Sequence, residues 1–178
     1  MDHRYPIGHY HWQGEITEAD RLKWIGEIAA LPERLRAAVT GLSDIQLDTP
    51  YRKGGWTIRQ VVHHLADSHI NSFTRFKLAL TEDNPTIRPY YEDRWAELPD
   101  SRSLPVEPSL VLLTALHERW TMLLRSIPHA DYARTFYHPE SQKSIRLDAN
   151  VGLYAWHGNH HLAHIVGLCE REDWRKTK

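Results

Sequence analysis

Trp156-His157-Gly158-Asn159-His160-His161-Leu162-Ala163-His164 holds four of the thirteen histidines in a chain of 178 residues. Around it, Leu153, Tyr154, His157, His161, Ile165 and Leu168 recur at spacings of three and four, which at about 100° per residue is one stripe of an α-helix. His157 and His161 therefore lie within the apolar face and point toward the core that the helix covers. Imidazole is the commonest protein metal ligand, and two of them one turn apart reach a single ion. His164 shares the stripe but sits nearly two turns from His157, while His160 lies toward its edge. One buried histidine is usually a packed residue hydrogen-bonded by its neighbours. Four so close together, two of them facing the core, point to a metal.

A second cluster, His63-His64-Leu65-Ala66-Asp67-Ser68-His69, lies far upstream. Thr57 with Gln60 three residues on forms a capping box, and Trp56 takes the staple position before it. Ile58, Val61, Val62, Leu65, Phe73, Phe76 and Leu80 then carry an apolar face to about Thr81, where Asp83-Asn84-Pro85 closes the helix. The centre of that face runs through Val61, Leu65, His69 and Phe76. His64 lies off one edge, and His63 faces the opposite way. Helical phase alone selects His69 to join His157 and His161.

Two more long helices flank these. Thr17 and Asp20 resemble a capping box opening a helix with Leu22, Ile25, Ile28, Ala29 and Leu31 at helical spacing. Pro32 is expected to end or kink it, with Glu33–Val39 as a continuation that stops at Gly41. Pro108 suits the first position of a helix reaching about Ile127, with Leu110, Leu113, Leu116, Trp120, Leu123 and Leu124 buried. Ser43–Leu47 reads as a short turn and Thr49–Gly55 as loop. Residues 84–107, with Pro85, Pro89, Pro99 and Pro105, read as a long connection carrying a short helix near Glu92–Glu97. Phe136–His138 and Ser144–Arg146 are expected to pair as a small hairpin, and Asp148 to cap the last helix, which ends near Arg171. Residues 1–16 read as an extended arm whose His3, His9 and His11 are surface or packing residues. The expectation is an all-α chain, one domain over residues 1–178, folded as a four-helix bundle with a long crossover connection.

Composition narrows the function. Lys and Arg total 22 against 23 Asp and Glu, a formal net charge of −1 with no basic block. A nucleic-acid footprint needs a basic face, so none is expected. No apolar run is long enough for a membrane span, and no apolar signal segment follows Met1-Asp2-His3. The single cysteine, Cys169, cannot form an internal disulfide and reads as a packing residue. Together these features suggest a cytoplasmic protein. Three histidines without a fourth protein ligand leave a divalent ion one open position, the pattern of a catalytic site. A thiol or water held there would be acidified. Asp67 could orient a ligand imidazole or act on a substrate proton, and it could equally be a solvated residue.

The run Gly55-Trp56-Thr57-Ile58-Arg59-Gln60-Val61-Val62-His63-His64-Leu65-Ala66-Asp67-Ser68-His69 resembles the DinB-like superfamily and, within it, the YfiT group of metal-dependent hydrolases. Tyr5-Pro6-Ile7-Gly8, Asp48-Thr49-Pro50-Tyr51-Arg52, the 75–82 segment, Tyr137-His138-Pro139 and the 156–165 segment extend the likeness over nearly the whole chain. The resemblance implies a four-helix bundle holding one divalent metal, zinc first and nickel second, on three histidines. One comes from a His-Leu pair, which falls on His64; the others form a His-x-x-x-His pair, which falls on His157 and His161. The resemblance therefore agrees with helical phase on the last helix and departs from it in choosing His64 over His69. It assigns no catalytic residue beyond the metal site, and it implies a homodimer in the cytoplasm. Related members resemble bacillithiol S-transferases and mycothiol-dependent isomerases. The implied activity is transfer of a low-molecular-weight thiol, held as thiolate on the metal, to an electrophile. Hydrolysis by metal-activated water is the rival, and a non-enzymatic metal- or thiol-binding stress module is a third reading.

Overall fold

A computed structural model describes residues 2–12 and 14–174. Met1, Gln13 and residues 175–178, which the arm and single-domain expectations include, lie outside the described residues. Four long helices dominate: α1 (Glu18–Val39), α3 (Ile58–Thr81), α6 (Glu107–Ser126) and α7 (Leu147–Arg171). Short helices α2 (Asp44–Leu47), α4 (Glu92–Trp95) and α5 (Pro99–Ser103) sit in the connections. A 3₁₀ turn, His129–Ala133, precedes the hairpin β1 (Thr135–His138) and β2 (Lys143–Arg146). The hairpin pairs antiparallel with Phe136 opposite Ile145. α1 packs on α6 and α7, and α3 packs on α6 and α7, so α1 and α3 face each other across one diagonal. This is the expected four-helix bundle. Among the described residues no helix is long and apolar enough to cross a membrane.

Local chemistry accounts for most boundaries. Thr17 and Thr57 each accept from the backbone N–H three residues on, and Asp20 and Gln60 reach back in return. Ser43 and Gln46 do the same at α2. Each such cap contributes about 1 kcal/mol. The long connection is tied down by residues at the start of α3. The buried Arg59 guanidinium donates to Asp48 at 2.6 Å, Asp44 at 2.9 Å and the Leu104 carbonyl at 3.1 Å. Gln60 donates to the Ala96 carbonyl at 2.7 Å.

Two boundaries differ from expectation, and of the two outcomes expected at Pro32 a helix end is excluded. α7 begins at Leu147 with Arg146 at the N-cap, so Asp148 is not the cap. β2 runs directly into α7, and the buried Asp148 carboxylate accepts from the Arg146 guanidinium at 3.0 and 2.6 Å and from Ala149 N–H at 2.8 Å. Pro108 falls one place inside α6, which starts at Glu107. α1 continues through Pro32 as one helix. A proline inside a helix costs roughly 3 kcal/mol and leaves the carbonyl four residues earlier without its helical donor. Here that carbonyl belongs to Ile28.

The apolar core is divided. One cluster gathers Ile28, Phe76, Trp120 and Val151; another gathers Leu35, Leu65, Leu113 and Ile165. All four long helices contribute to both, from opposite halves of their length. Ser68, His69, His117 and His157 fall between these halves, so a polar layer crosses the middle of the bundle.

Candidate metal centre

α7 supplies His157 and His161 one turn apart, with Gly158 between them. A Cβ on Gly158 would meet Leu31 Cδ2 at 2.6 Å, so glycine there lets α7 press onto α1 at the level of the histidines. α3 supplies His64, whose Nε2 lies 3.3 Å from His157 Nε2. Two nitrogens each about 2.0–2.1 Å from a tetrahedral ion are separated by about 3.3 Å, so this pair already spans one edge of a zinc-like tetrahedron. One ring nitrogen from each of His64, His157 and His161 lies within 4.8 Å of the others. The ring of His161 is 4.7 Å from that of His64 and 4.6 Å from that of His157, centroid to centroid.

Electrostatics favours bare lone pairs. Burial pushes His64 down to about 4. Burial, reinforced by the neighbouring histidines, holds His157 and His161 well below 6.5. The three rings are therefore neutral at pH 7, the state a metal ligand requires. His161 Nδ1 is buried without a hydrogen-bond partner, a polar atom the protein leaves unsatisfied. The donor set fits a borderline-soft divalent ion such as zinc or nickel.

His69, the residue favoured by helical phase, sits behind the trio. Its Nε2 is 3.2 Å from His157 Nδ1 and its Nδ1 is 2.8 Å from His117 Nε2. Both of its ring nitrogens are thus engaged. His63 is hydrogen-bonded on both sides, to Ser109 Oγ at 2.7 Å and the Leu104 carbonyl at 3.1 Å, as a packed histidine should be. Cys169 packs in the second apolar cluster. Asp67 does not line the cleft that opens over the trio. Burial, with Asp100 adding repulsion, raises its pKa to about 6.

That cleft encloses about 610 Å³, and His64, His157 and His161 all line it. Trp56 packs against His64, ring centroids 4.6 Å apart, and Tyr51 stacks on His164 at 3.9 Å. A Cβ on Gly55 would meet Arg52 Cγ at 2.8 Å and the Tyr51 ring at 3.1 Å, so this wall needs glycine. His160 stacks on Trp156 at 4.5 Å. His160, His161 and His164 form a second group whose ring nitrogens lie within 4.8 Å of one another, and burial pushes His160 and His164 down to about 4.

The N-terminal arm forms part of the wall, which periodicity could not show. His164 Nε2 donates to the Arg4 carbonyl at 3.1 Å and Trp156 Nε1 to the Gly8 carbonyl at 3.3 Å. Arg4 and Tyr5 line the cleft. The available signal was Tyr5-Pro6-Ile7-Gly8, an aromatic followed by turn residues. His9 packs against Tyr5, ring centroids 3.7 Å apart, and His11 is exposed, so neither joins the trio.

The sequence pattern of the DinB superfamily matches residues 27–165. A Bacillus mycoides protein named "putative metal-dependent hydrolase" is 60% identical over 173 residues, covering 97% of this chain and 99% of its own. An Oceanobacillus iheyensis protein with the same description is 56% identical over 174 residues, covering 98% and 100%. Among solved structures, YfiT from Bacillus subtilis superposes with a TM-score of 0.96 at 50% identity, covering 98% of this chain and 100% of its own. It is described as "a probable metal-dependent hydrolase with an unusual four-helix bundle topology".

Proposed function

From the premise that this chain belongs to the DinB superfamily, among relatives named as metal-dependent hydrolases, we propose that it is an enzyme holding one divalent ion on His64, His157 and His161. The observation that carries this reading is the 3.3 Å approach of two Nε2 atoms on neutral rings, one buried and one half-buried, that line a cleft. Zinc is the favoured ion and nickel the second. When bound, the ion would supply Lewis acidity and lower the pKa of a small nucleophile.

The chain's own groups favour a low-molecular-weight thiol as that nucleophile. The carboxylate on the cleft wall is Glu92, an exposed residue, and His160 and His164 near 4 accept protons weakly at neutral pH. A thiol, with an intrinsic pKa of about 8.5, needs far less help from a base than water does. The relatives' names favour the second reading, hydrolysis. In either case Trp56, Tyr51 and Trp156 supply aromatic surface against which a small electrophile can lie, and the arm closes the side by Arg4.

Metal analysis of the purified protein is expected to give about one zinc or nickel per chain, lost in His64→Ala, His157→Ala and His161→Ala. Absence of divalent metal at micromolar supply, or full stoichiometry in His64→Ala, overturns the site. A turnover screen of the loaded protein with several thiols against electrophiles, beside ester and amide panels, separates transfer from hydrolysis. Tight metal binding with no turnover in either panel would leave a binding module.

A further inference from the structure

Helical geometry would pair the Ile28 carbonyl with the N–H of residue 32. Residue 32 is proline, which has none. The carbonyl is deep in the bundle, on a residue 1% exposed, where an unpaired acceptor is rarely left. Its partner is His117 on α6, whose Nδ1 lies 2.6 Å away.

That contact determines a series of proton positions. A carbonyl only accepts, so the proton sits on His117 Nδ1, and in a neutral ring Nε2 then carries the lone pair. His69 Nδ1, 2.8 Å from it, must donate, which leaves His69 Nε2 as an acceptor. His157 Nδ1, 3.2 Å from that atom, donates in turn. The lone pair of His157 is consequently on Nε2, the atom that faces His64 Nε2. Burial supports neutrality at every step, pushing His117 down to about 4 and His69 well below 6.5. Trp120 and Tyr154 stand edge-on to the His69 ring and fix its plane.

We propose that Pro32, His117 and His69 are positioning residues: Pro32 frees the Ile28 carbonyl, and the chain His117–His69–His157 transmits that single acceptor into one tautomer and one ring orientation at the metal ligand. A ligand histidine usually donates its second N–H directly to a carboxylate or carbonyl. Here the carbonyl is two rings away, and the relay buries no charge. A cation on His157 Nε2 makes Nδ1–H more acidic and strengthens each following hydrogen bond, so the rings reinforce one another. The role at the ion rests on the metal reading above, whereas the tautomers belong to the metal-free protein as well.

Long-range ¹H–¹⁵N correlation of the histidine rings in chelator-stripped protein at pH 7.5 tests the relay without metal. Nδ1–H tautomers are expected at His117, His69 and His157; an Nε2–H tautomer at His157 overturns it. Chelator competition with zinc then measures affinity. His69→Leu is expected to lose about 10- to 100-fold, and His69→Gln, whose amide both accepts and donates, is expected to recover most of that. Equal affinities for the two variants overturn the role of His69. Pro32→Ala supplies an N–H that competes for the Ile28 carbonyl while relieving the helix, so the melting temperature should rise as zinc affinity falls. A merely structural proline would move neither tautomer nor affinity, and that result overturns the assignment to Pro32. Zero zinc in the wild type beside the expected tautomers would refute the metal reading while leaving the relay intact.

Discussion

The metal-free protein should be acid-labile well above the pH at which ordinary carboxylates protonate. His64 and His117 are each pushed from 6.5 down to about 4 by burial. Folded, they stay neutral to about pH 4; unfolded, they take up protons as the pH passes 6.5. A depressed folded pKa gives stability that is complete above 6.5 and is lost as the pH falls toward 4. At pH 5 each such histidine costs about 2 kcal/mol, so the pair costs about 4 kcal/mol relative to pH 7.5. His69, His157 and His161 shift in the same direction and add to this. Asp67, raised to about 6, opposes it partly, because its ionised form is the disfavoured one. Against a total stability of 5–15 kcal/mol, a loss of roughly 4 is large. With a urea slope of about 2 kcal/mol per molar, the unfolding midpoint should fall by about 2 M between pH 7.5 and 5. Zinc at a thousandfold excess over its dissociation constant should restore about 4 kcal/mol at either pH where it binds that tightly. The assay is urea unfolding followed by circular dichroism at pH 7.5, 6.5 and 5, stripped and loaded. A metal-free midpoint that moves by less than about 0.5 M would show that these histidines are already charged or solvated in the fold, and the neutral-ligand argument would fail with it.

Asp67→Asn should raise the melting temperature at pH 7.5 and have little effect near pH 4, since the raised carboxyl loses its stabilising contribution as pH climbs through about 6; metal content should be unchanged, because the residue does not line the cleft. Gly152→Ala should destabilise by about 1 kcal/mol even though alanine gains about that much in helix propensity, because a close contact with packed groups costs roughly 1–3. The new Cβ would stand 2.6 Å from Tyr10 Oη and 2.9 Å from the Trp24 ring. Thermal melts check the sign, and faster proteolysis within the N-terminal arm would show that its seat on α7 has loosened.

The fold was largely legible because its signals are local. Thr57-x-x-Gln60 and Thr17-x-x-Asp20 mark helix starts through hydrogen bonds made within one turn, and both caps form. The misread positions depend on partners distant in sequence. Asp148 looks like a cap until Arg146 and the Leu147 N–H, held by the Arg134 carbonyl at 2.9 Å, start the helix earlier. Pro32 reads as ending or kinking its helix because a proline breaks an isolated helix, and it does not end this one. In the bundle α1 is held against α6 and α7, and the orphaned Ile28 carbonyl finds His117, which lies 89 residues away in sequence.

Helical phase points to His157, His161 and His69, whereas the ring nitrogens that converge on the cleft belong to His64, His157 and His161. Helical phase identifies side chains that point at the bundle axis, and His69 does so, fully buried between His117 and His157. Both His69 ring nitrogens are taken by protein partners, Nδ1 by His117 and Nε2 by His157. In the proposed metal site the ion has to reach substrate, so a ligand is expected from the edge of the apolar arc that faces the opening. His64 occupies that edge, packed under Trp56 and lining the cleft. Phase therefore selected the residue that lies behind His157, while His64, the third member of the proposed metal site, lies one edge over, beside the loop that walls the cleft. The same reasoning explains why the arm was missed. A cleft wall is built from whatever segment covers its mouth, and residues 4–8 do so partly through backbone carbonyls, which carry no periodic signature.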